Sequence, residues 1–110
     1  MPSTWRARVL FWVCVAVQLA VLYAPRAVSP PAGLPLDKVV HATVFGAVLW
    51  AGVRAGLRAA PLAAVLLGHA VVSEVVQARL LPGRSGDPVD AVADALGVLA
   101  AWWAVRGRSD

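Results

Sequence analysis

Four apolar segments, separated by short polar breaks, make up most of the chain. They cover residues 9–24, 39–53, 61–78 and 89–105. A helix that spans a membrane needs about 20 mostly apolar residues, and the segments approach that length when their flanks are included. The pattern predicts an all-α polytopic membrane protein, a bundle of four transmembrane helices. The predicted helices cover about residues 7–24, 37–54, 60–79 and 88–105.

Composition agrees with a membrane protein of one domain. Hydrophobic residues make up 60% of the 110 residues, and the mean hydropathy is +0.73. Soluble domains are only about 45–50% apolar. A chain of this length forms one domain, so we expect a single transmembrane domain over residues 1–110. The third segment is apolar on nearly all sides, unlike the one-faced surface helix of a soluble bundle.

The first segment shares one feature with a secretory signal peptide, because Arg6 and Arg8 precede its apolar run. No suitable cleavage motif of small residues follows it. Cleavage after Ala24 would place Leu22 at the third position back and Pro25 just beyond the cut. We therefore expect this segment to be kept as the first transmembrane helix.

Basic residues predict how the helices are oriented. Six lie on one side of the predicted membrane, namely Arg6, Arg8, Arg54, Arg58, Arg106 and Arg108, and four on the other, namely Arg26, Lys38, Arg79 and Arg84. Basic residues favour the cytoplasmic side, so we expect a multi-pass plasma-membrane protein with both termini in the cytoplasm. Trp5, Trp50, Trp102 and Trp103 fall near the same side, where amphipathic rings settle at the interface.

The high sequence pI, about 10.7, does not indicate a nucleic-acid partner. The basic residues are distributed in pairs over the loops and form no basic helix face, so anionic membrane lipids are the expected partner. Cys14 is the single cysteine, which excludes a disulfide framework within the chain. We expect neither a cofactor nor a resident metal.

Polar side chains gather at the predicted outer ends of the helices. Each lies within about two turns of the same interface, at about 1.5 Å of rise per residue. A charge at the centre of a membrane costs roughly 2.5–3.5 kcal/mol on insertion scales, so such residues are functional candidates. We expect one polar ligand-binding cluster, with the members Asp37, Lys38, His41, Glu74, Gln77, Arg84, Asp87, Asp90 and Asp94.

Helical spacing places several of these residues on common faces. Asp37 and His41 are four residues apart and share a face. Asp90, Asp94 and Gly97 follow one another at i, i+4 and i+7 on one stripe of the last helix. Side chains at these spacings are neighbours on a helix. The glycine is expected to let another helix approach closely.

Some of the polar residues also have a structural interpretation. Asp37 and Asp87 lie at predicted helix starts next to prolines, where each can act as an N-cap. Arg84 can pair with Asp87 at the interface. His69 lies deeper in the third helix and is expected to pack or to hydrogen-bond between helices.

Four short motifs follow one another along the chain. They are Asp37-Lys38-x-x-His41, Glu74-x-x-Gln77, Pro82-Gly83-Arg84, and Asp87 and Asp90 with Gly97. Their order and spacing, over about residues 36–100, resemble the VanZ-like family of small bacterial membrane proteins. After the arginine, the family pattern is an aspartate, three residues, an asparagine, two residues and a glycine. Asp94 stands where that asparagine is usual, which puts in doubt any role that requires a neutral amide donor.

The resemblance implies a protein of the bacterial cell envelope. The founding member of the family is associated with low-level resistance to the glycopeptide antibiotic teicoplanin. We expect an outer-leaflet site that binds an envelope lipid or a lipid-linked cell-wall precursor. At that site Lys38, His41 and Arg84 would contact the anionic group.

Two other functions stay open. One is a membrane hydrolase or transferase, in which Asp37, His41, Glu74 and Asp90 hold a divalent cation or act as acid and base on a lipid phosphate. The chain contains no HExxH motif and no nucleophile elbow, so we expect binding more than catalysis. The other is a proton or ion path, which needs polar groups in the inner half of the membrane as well.

Four short helices bury little surface, which leaves the oligomeric state open, a homodimer included.

Overall fold

The computed structural model describes residues 4–23, 35–80 and 88–109. These residues form four helices, and no strand occurs among them. The helices are α1 (Thr4–Tyr23), α2 (Pro35–Arg54), α3 (Ala59–Leu80) and α4 (Pro88–Ser109). The predicted all-α class is confirmed, and each helix lies within a few residues of its predicted place.

Prolines mark the starts of α2 and α4. Pro35 and Pro88 are the first helical residues, where the missing N–H group costs nothing because it would have no partner within the helix. The prediction that Asp37 is the N-cap of α2 is wrong, since the helix begins two residues before it. Asp37 lies in the first turn of α2.

A tight turn joins α2 to α3. The backbone N–H of Leu57 donates to the carbonyl of Gly52 over 2.9 Å, and that of Gly56 donates to Val53 over 3.0 Å. Gly56 adopts a φ of 102°, a left-handed conformation that glycine reaches without steric cost. This arrangement satisfies the last carbonyls of α2 and returns the chain along the bundle as α3.

Helix α2 lies at the centre of the bundle. It packs most extensively against α4 and next against α1, while α3 packs mainly against α4. The apolar core contains Phe45, Val48 and Leu49 of α2, Leu66 of α3 and Val98 of α4. The ionisable side chains that α2 and α4 place inside the bundle lie at one end of this core.

Two glycines allow α2 and α4 to touch through their backbones. A Cβ atom on Gly97 would overlap the backbone of Ala42, and one on Gly46 would lie 2.9 Å from the carbonyl oxygen of Gly97. Neither position can accept a side chain unless the helices separate. The predicted packing role of Gly97 is thereby confirmed, and this contact brings the polar side chains of α2 and α4 within reach of one another.

The outside of the bundle is apolar, whereas part of its interior is polar. Large hydrophobic side chains on every helix are exposed, such as Trp12, Val39, Val72 and Leu96. The buried polar residues are Gln18, His41, Ser73, Gln77, Asp90 and Asp94. This reverses the usual arrangement in water-soluble domains, where aspartate is almost never fully buried unless it is paired.

Two helices, Trp5–Tyr23 and Ala59–Leu80, are long and apolar enough to cross a membrane. Helices α2 and α4 contain the ionisable residues of the interior, among them Lys38, His41, Asp90 and Asp94. Such side chains lower the mean hydropathy of the helices that carry them. The helices with the least membrane-like composition are therefore the ones that place charged groups inside the bundle.

Candidate functional site: a polar chain between α2 and α4

The site begins with an ion pair between the first turns of α2 and α4. Lys38 Nζ donates to Asp90 Oδ1 over 2.5 Å. The lysine side chain is 22% exposed and the aspartate side chain 6%. The pair therefore lies where the bundle meets its surroundings, with the lysine facing outward.

A second pair lies about one turn deeper. His41 Nδ1 and Asp94 Oδ1 are 2.8 Å apart and hydrogen-bonded. His41 Nε2 faces the other carboxylate, 3.8 Å from Asp90 Oδ2. The side chains of His41 and Asp94 are 2% and 0% exposed. The histidine is therefore held between two carboxylates inside the bundle.

We call Lys38, Asp90, His41 and Asp94 the polar chain. The i, i+3 spacing of its α2 members and the i, i+4 spacing of its α4 members put each pair on one helix face. Two carboxylates balance a lysine and an imidazolium, so the polar chain is neutral when His41 carries both ring protons. Buried charges are tolerated when they are paired and hydrogen-bonded in this way.

Asp94 has one oxygen that the pairing does not use. Its Oδ2 atom is buried and has no hydrogen-bond partner within the described part of the chain. Leaving a buried acceptor unsatisfied costs about 1–3 kcal/mol, so such an atom calls for an explanation. Asp94 also lies within electrostatic range of His69 on α3.

A polar contact between α1 and α3 lies beside the polar chain. The Tyr23 hydroxyl and His69 Nε2 are 2.8 Å apart, and their rings stack with centroids 5.9 Å apart. Phe45 of α2 packs against the same imidazole, at a centroid distance of 5.8 Å. The prediction that His69 packs or hydrogen-bonds between helices is confirmed.

Gln77 has a contact that the sequence did not indicate. Its Nε2 atom donates to the carbonyl oxygen of Leu22 over 2.7 Å. Leu22 lies in the last turn of α1, where carbonyl groups have no partner within the helix. Gln77 therefore caps α1 from α3, and this bond gives it a packing role. Glu74, one turn earlier on α3, is half-buried.

The structure joins four of the predicted site residues, Lys38, His41, Asp90 and Asp94, in direct contact. Arg84, Asp87 and the side chain of Asp37 lie outside the described residues. The single ligand cluster that includes them, Glu74 and Gln77 stays a prediction. Among the described side chains, no three of His, Cys, Asp and Glu are placed to hold a metal ion.

Sequence reasoning did not place Tyr23 beside the polar chain, because a tyrosine at the end of an apolar helix is also typical of the membrane interface. The sequence did indicate His69, because it is a histidine within an otherwise apolar helix.

No protein family model matches the chain, and no curated protein and no solved structure matches it either. The geometry and the sequence motifs therefore carry the functional argument.

Proposed function

We propose that this chain is a VanZ-like protein of the bacterial plasma membrane that binds an anionic envelope lipid or a lipid-linked cell-wall precursor at its outer-leaflet polar cluster. The observation that carries the proposal is the polar chain, a buried set of ionisable side chains inside a bundle whose outside is apolar. Ionisable residues inside a membrane mark functional sites by default. Lys38 is the most exposed member of the polar chain and can meet an anionic group at head-group height.

Four membrane spans are consistent with the size of the helices. The helices contain 20, 20, 22 and 22 residues, or about 30–33 Å at about 1.5 Å per residue. The hydrocarbon core of a bilayer is about 30 Å thick. Exposed apolar residues on all four helices would face the acyl chains, and the charged groups of α2 and α4 would face the bundle interior.

Two ring contacts support the proposed orientation. The guanidinium of Arg6 lies 5.6 Å from the ring centroid of Trp5, and that of Arg54 lies 4.9 Å from the ring of Trp50. Both pairs lie at helix ends that the basic residues assign to the cytoplasm. Paired tryptophan and arginine side chains suit the membrane interface, where the ring meets the head groups and the cation meets water.

Thiol labelling tests this orientation. Single cysteines would replace Ser29 and Ser109 in a Cys14→Ala background, and intact cells would be treated with an impermeant thiol reagent. We expect labelling at position 29 and none at 109 until the cells are opened, because both termini face the cytoplasm. Labelling at 109 but not at 29 in intact cells would reverse the topology.

The ligand class follows from the resemblance and from the chemistry of the cations. The VanZ-like motifs imply an envelope protein with a link to teicoplanin resistance, and they include Arg84 in the loop before α4. The planar guanidinium of arginine contacts phosphate or carboxylate through two parallel hydrogen bonds, which lysine cannot reproduce. Arg84 would therefore be the main contact to the anionic group, with Lys38 beside it.

Lipid analysis of the purified protein tests the proposed binding. The protein would be extracted from bacterial membranes with its surrounding lipid, and the co-purified lipids would be measured by mass spectrometry. We expect one class of anionic envelope lipid to be enriched over the bulk membrane. Arg84→Lys and Lys38→Met should each reduce that enrichment several-fold per molecule of folded protein, and Arg84→Lys should leave the amount of protein in the membrane the same.

Arg58→Lys is the matched control, because Arg58 is an exposed arginine at the opposite end of the bundle. It should keep the wild-type lipid profile. Equal lipid profiles in Arg84→Lys, Lys38→Met and wild type would contradict the proposal and leave Arg84 as an interfacial anchor. Conversion of the bound lipid to a product would favour the hydrolase or transferase alternative.

A further inference from the structure

The polar chain runs from the surface into the interior of the bundle, with one gap longer than a hydrogen bond between Asp90 and His41. Side-chain exposure falls from 22% at Lys38 through 6% at Asp90 and 2% at His41 to 0% at Asp94. The successive polar atoms are separated by 2.5, 3.8 and 2.8 Å. Series of aspartate and histidine side chains of this kind carry protons within membrane proteins.

We propose that the polar chain is a proton-binding site, in which His41 and Asp94 share one proton that exchanges with external water through Asp90 and Lys38. The ligand is the proton, so this property of the polar chain goes beyond lipid binding and needs no bound lipid. Sharing the proton requires that the bundle keeps the side chains away from bulk water, and His41 and Asp94 are buried in the structure.

Two positions of the shared proton leave the charge of the site unchanged. In the first, His41 is an imidazolium and Asp94 a carboxylate. In the second, the Nδ1–H bond of His41 breaks, an O–H bond forms on Asp94 Oδ1, and the electron pair stays on the nitrogen. Both positions keep the polar chain neutral overall, which avoids an uncompensated buried charge. A hydrogen bond of 2.8 Å is short enough for this transfer.

The unsatisfied oxygen of Asp94 explains why the proton would be shared. A buried carboxylate usually accepts several hydrogen bonds, which hold its negative charge in place. Within the described residues Asp94 accepts one, at Oδ1 from His41, and Oδ2 accepts none. His41 is therefore its main source of positive charge, and the two groups compete for the same proton.

Exchange with the outside uses the remaining members of the polar chain. On the way out, the Nε2–H bond of the His41 imidazolium breaks and an O–H bond forms on Asp90 Oδ2, which leaves a neutral imidazole that keeps its Nδ1 proton. The gap of 3.8 Å exceeds a hydrogen bond, so this hop needs a rotation of the Asp90 carboxyl and limits the rate. Lys38 Nζ then releases a proton to external water and takes the Asp90 proton in its place, and the reverse steps return a proton to the vacant Nε2.

Other titratable groups surround the site without replacing its members. The described titratable side chains that act on Asp94 are His41 on α2, His69 on α3 and Asp90 on α4, with Lys38 bonded to Asp90 and Tyr23 bonded to His69. Tyr23 and His69 hydrogen-bond each other. His69 acts on Asp94 through charge, whereas His41 acts through a hydrogen bond as well.

The presence of only two histidines makes a direct measurement practical. The protein would be labelled with nitrogen-15 in histidine, placed in uncharged phosphatidylcholine bilayers and followed by solid-state NMR as the pH is changed. His69→Gln assigns the signals. In the wild type, we expect the Nδ1 signal of His41 to lie between the protonated and deprotonated positions, as a shared proton requires.

Three variants separate the parts of the proposal. In Asp94→Asn the Nδ1 signal of His41 should leave its intermediate position, because the carboxylate that shares the proton is gone. In Asp90→Asn the exchange of the His41 protons with water should slow several-fold. Ser73→Ala removes a buried hydroxyl that donates to the carbonyl of Ala70 within α3, and it should leave both quantities unchanged.

The same intermediate Nδ1 signal of His41 in Asp94→Asn and Ser73→Ala would overturn the proposal. The wild type alone also tests it if Asp94→Asn does not fold. A His41 signal that stays at one neutral tautomer across about pH 5–8, the range in which free histidine titrates, would exclude a shared proton. Because the bilayers contain no anionic lipid, either result is independent of the proposed lipid binding.

Discussion

Replacing His41 by leucine should lower the free energy of unfolding of the bundle by about 3–5 kcal/mol. The substitution removes the hydrogen-bonded partner of Asp94 Oδ1 and the ring nitrogen that faces Asp90. Two buried carboxylates would then share the single positive charge of Lys38. Reversible unfolding in mixed micelles, followed by tryptophan fluorescence, measures this change.

A double substitution shows that the loss comes from the unpaired charge. His41→Leu with Asp94→Leu should recover much of the lost stability, because replacing both members of a buried pair by apolar residues is often neutral. Ser73→Ala is the control and should cost under about 1.5 kcal/mol, the usual net value of a hydrogen bond. A cost of about 0.6 kcal/mol for His41→Leu, the average of a hydrogen bond between membrane helices, would contradict the prediction.

Gly97→Ala should separate α2 from α4 and destabilise the bundle by about 1–3 kcal/mol, the usual cost of overpacking. The added Cβ would overlap the backbone of Ala42, which cannot move aside as a flexible side chain can. The separation should also lengthen the His41–Asp94 hydrogen bond, which lies about one turn away. The unfolding measurement gives the first effect, and the NMR signal of His41 gives the second.

Gly68→Ala provides the matched control for this substitution. Gly68 lies in the middle of α3, and a Cβ atom there would meet nothing within 4 Å. Alanine favours a helix by about 0.8–1.0 kcal/mol over glycine, so this variant should be unchanged or more stable. Equal stability of Gly97→Ala and Gly68→Ala would show that the α2–α4 contact is looser than the structure indicates.

Local sequence pattern was enough to predict the helices. Runs of apolar residues and the prolines that punctuate them specify where each helix forms, because both act within a few residues of the chain. The start of α2 differs from the prediction, because the helix begins at Pro35 and Asp37 is therefore not its N-cap. The stripe of Asp90, Asp94 and Gly97 could also be predicted, since a periodicity of 3.6 residues places them on one face.

Partner choice between helices could not be derived in the same way. The sequence placed Gln77 among the cluster residues, but in the structure it donates to the carbonyl of Leu22 on α1. It indicated His69 as an interhelical residue without naming Tyr23 as the partner. Such contacts depend on how each helix is rotated and tilted against its neighbours, and residues far apart in the chain determine that together.

The sequence by itself determined that this chain forms four helices with ionisable residues toward one end, because helix formation and hydropathy are properties of short segments. Only the tertiary structure decided that His41 lies between Asp90 and Asp94, that Lys38 is the outward-facing member, and that one oxygen of Asp94 lacks a hydrogen-bond partner in the described chain. Those features depend on the distance between α2 and α4. That distance is set by the backbone contact at Gly97, a long-range contact that no single segment encodes.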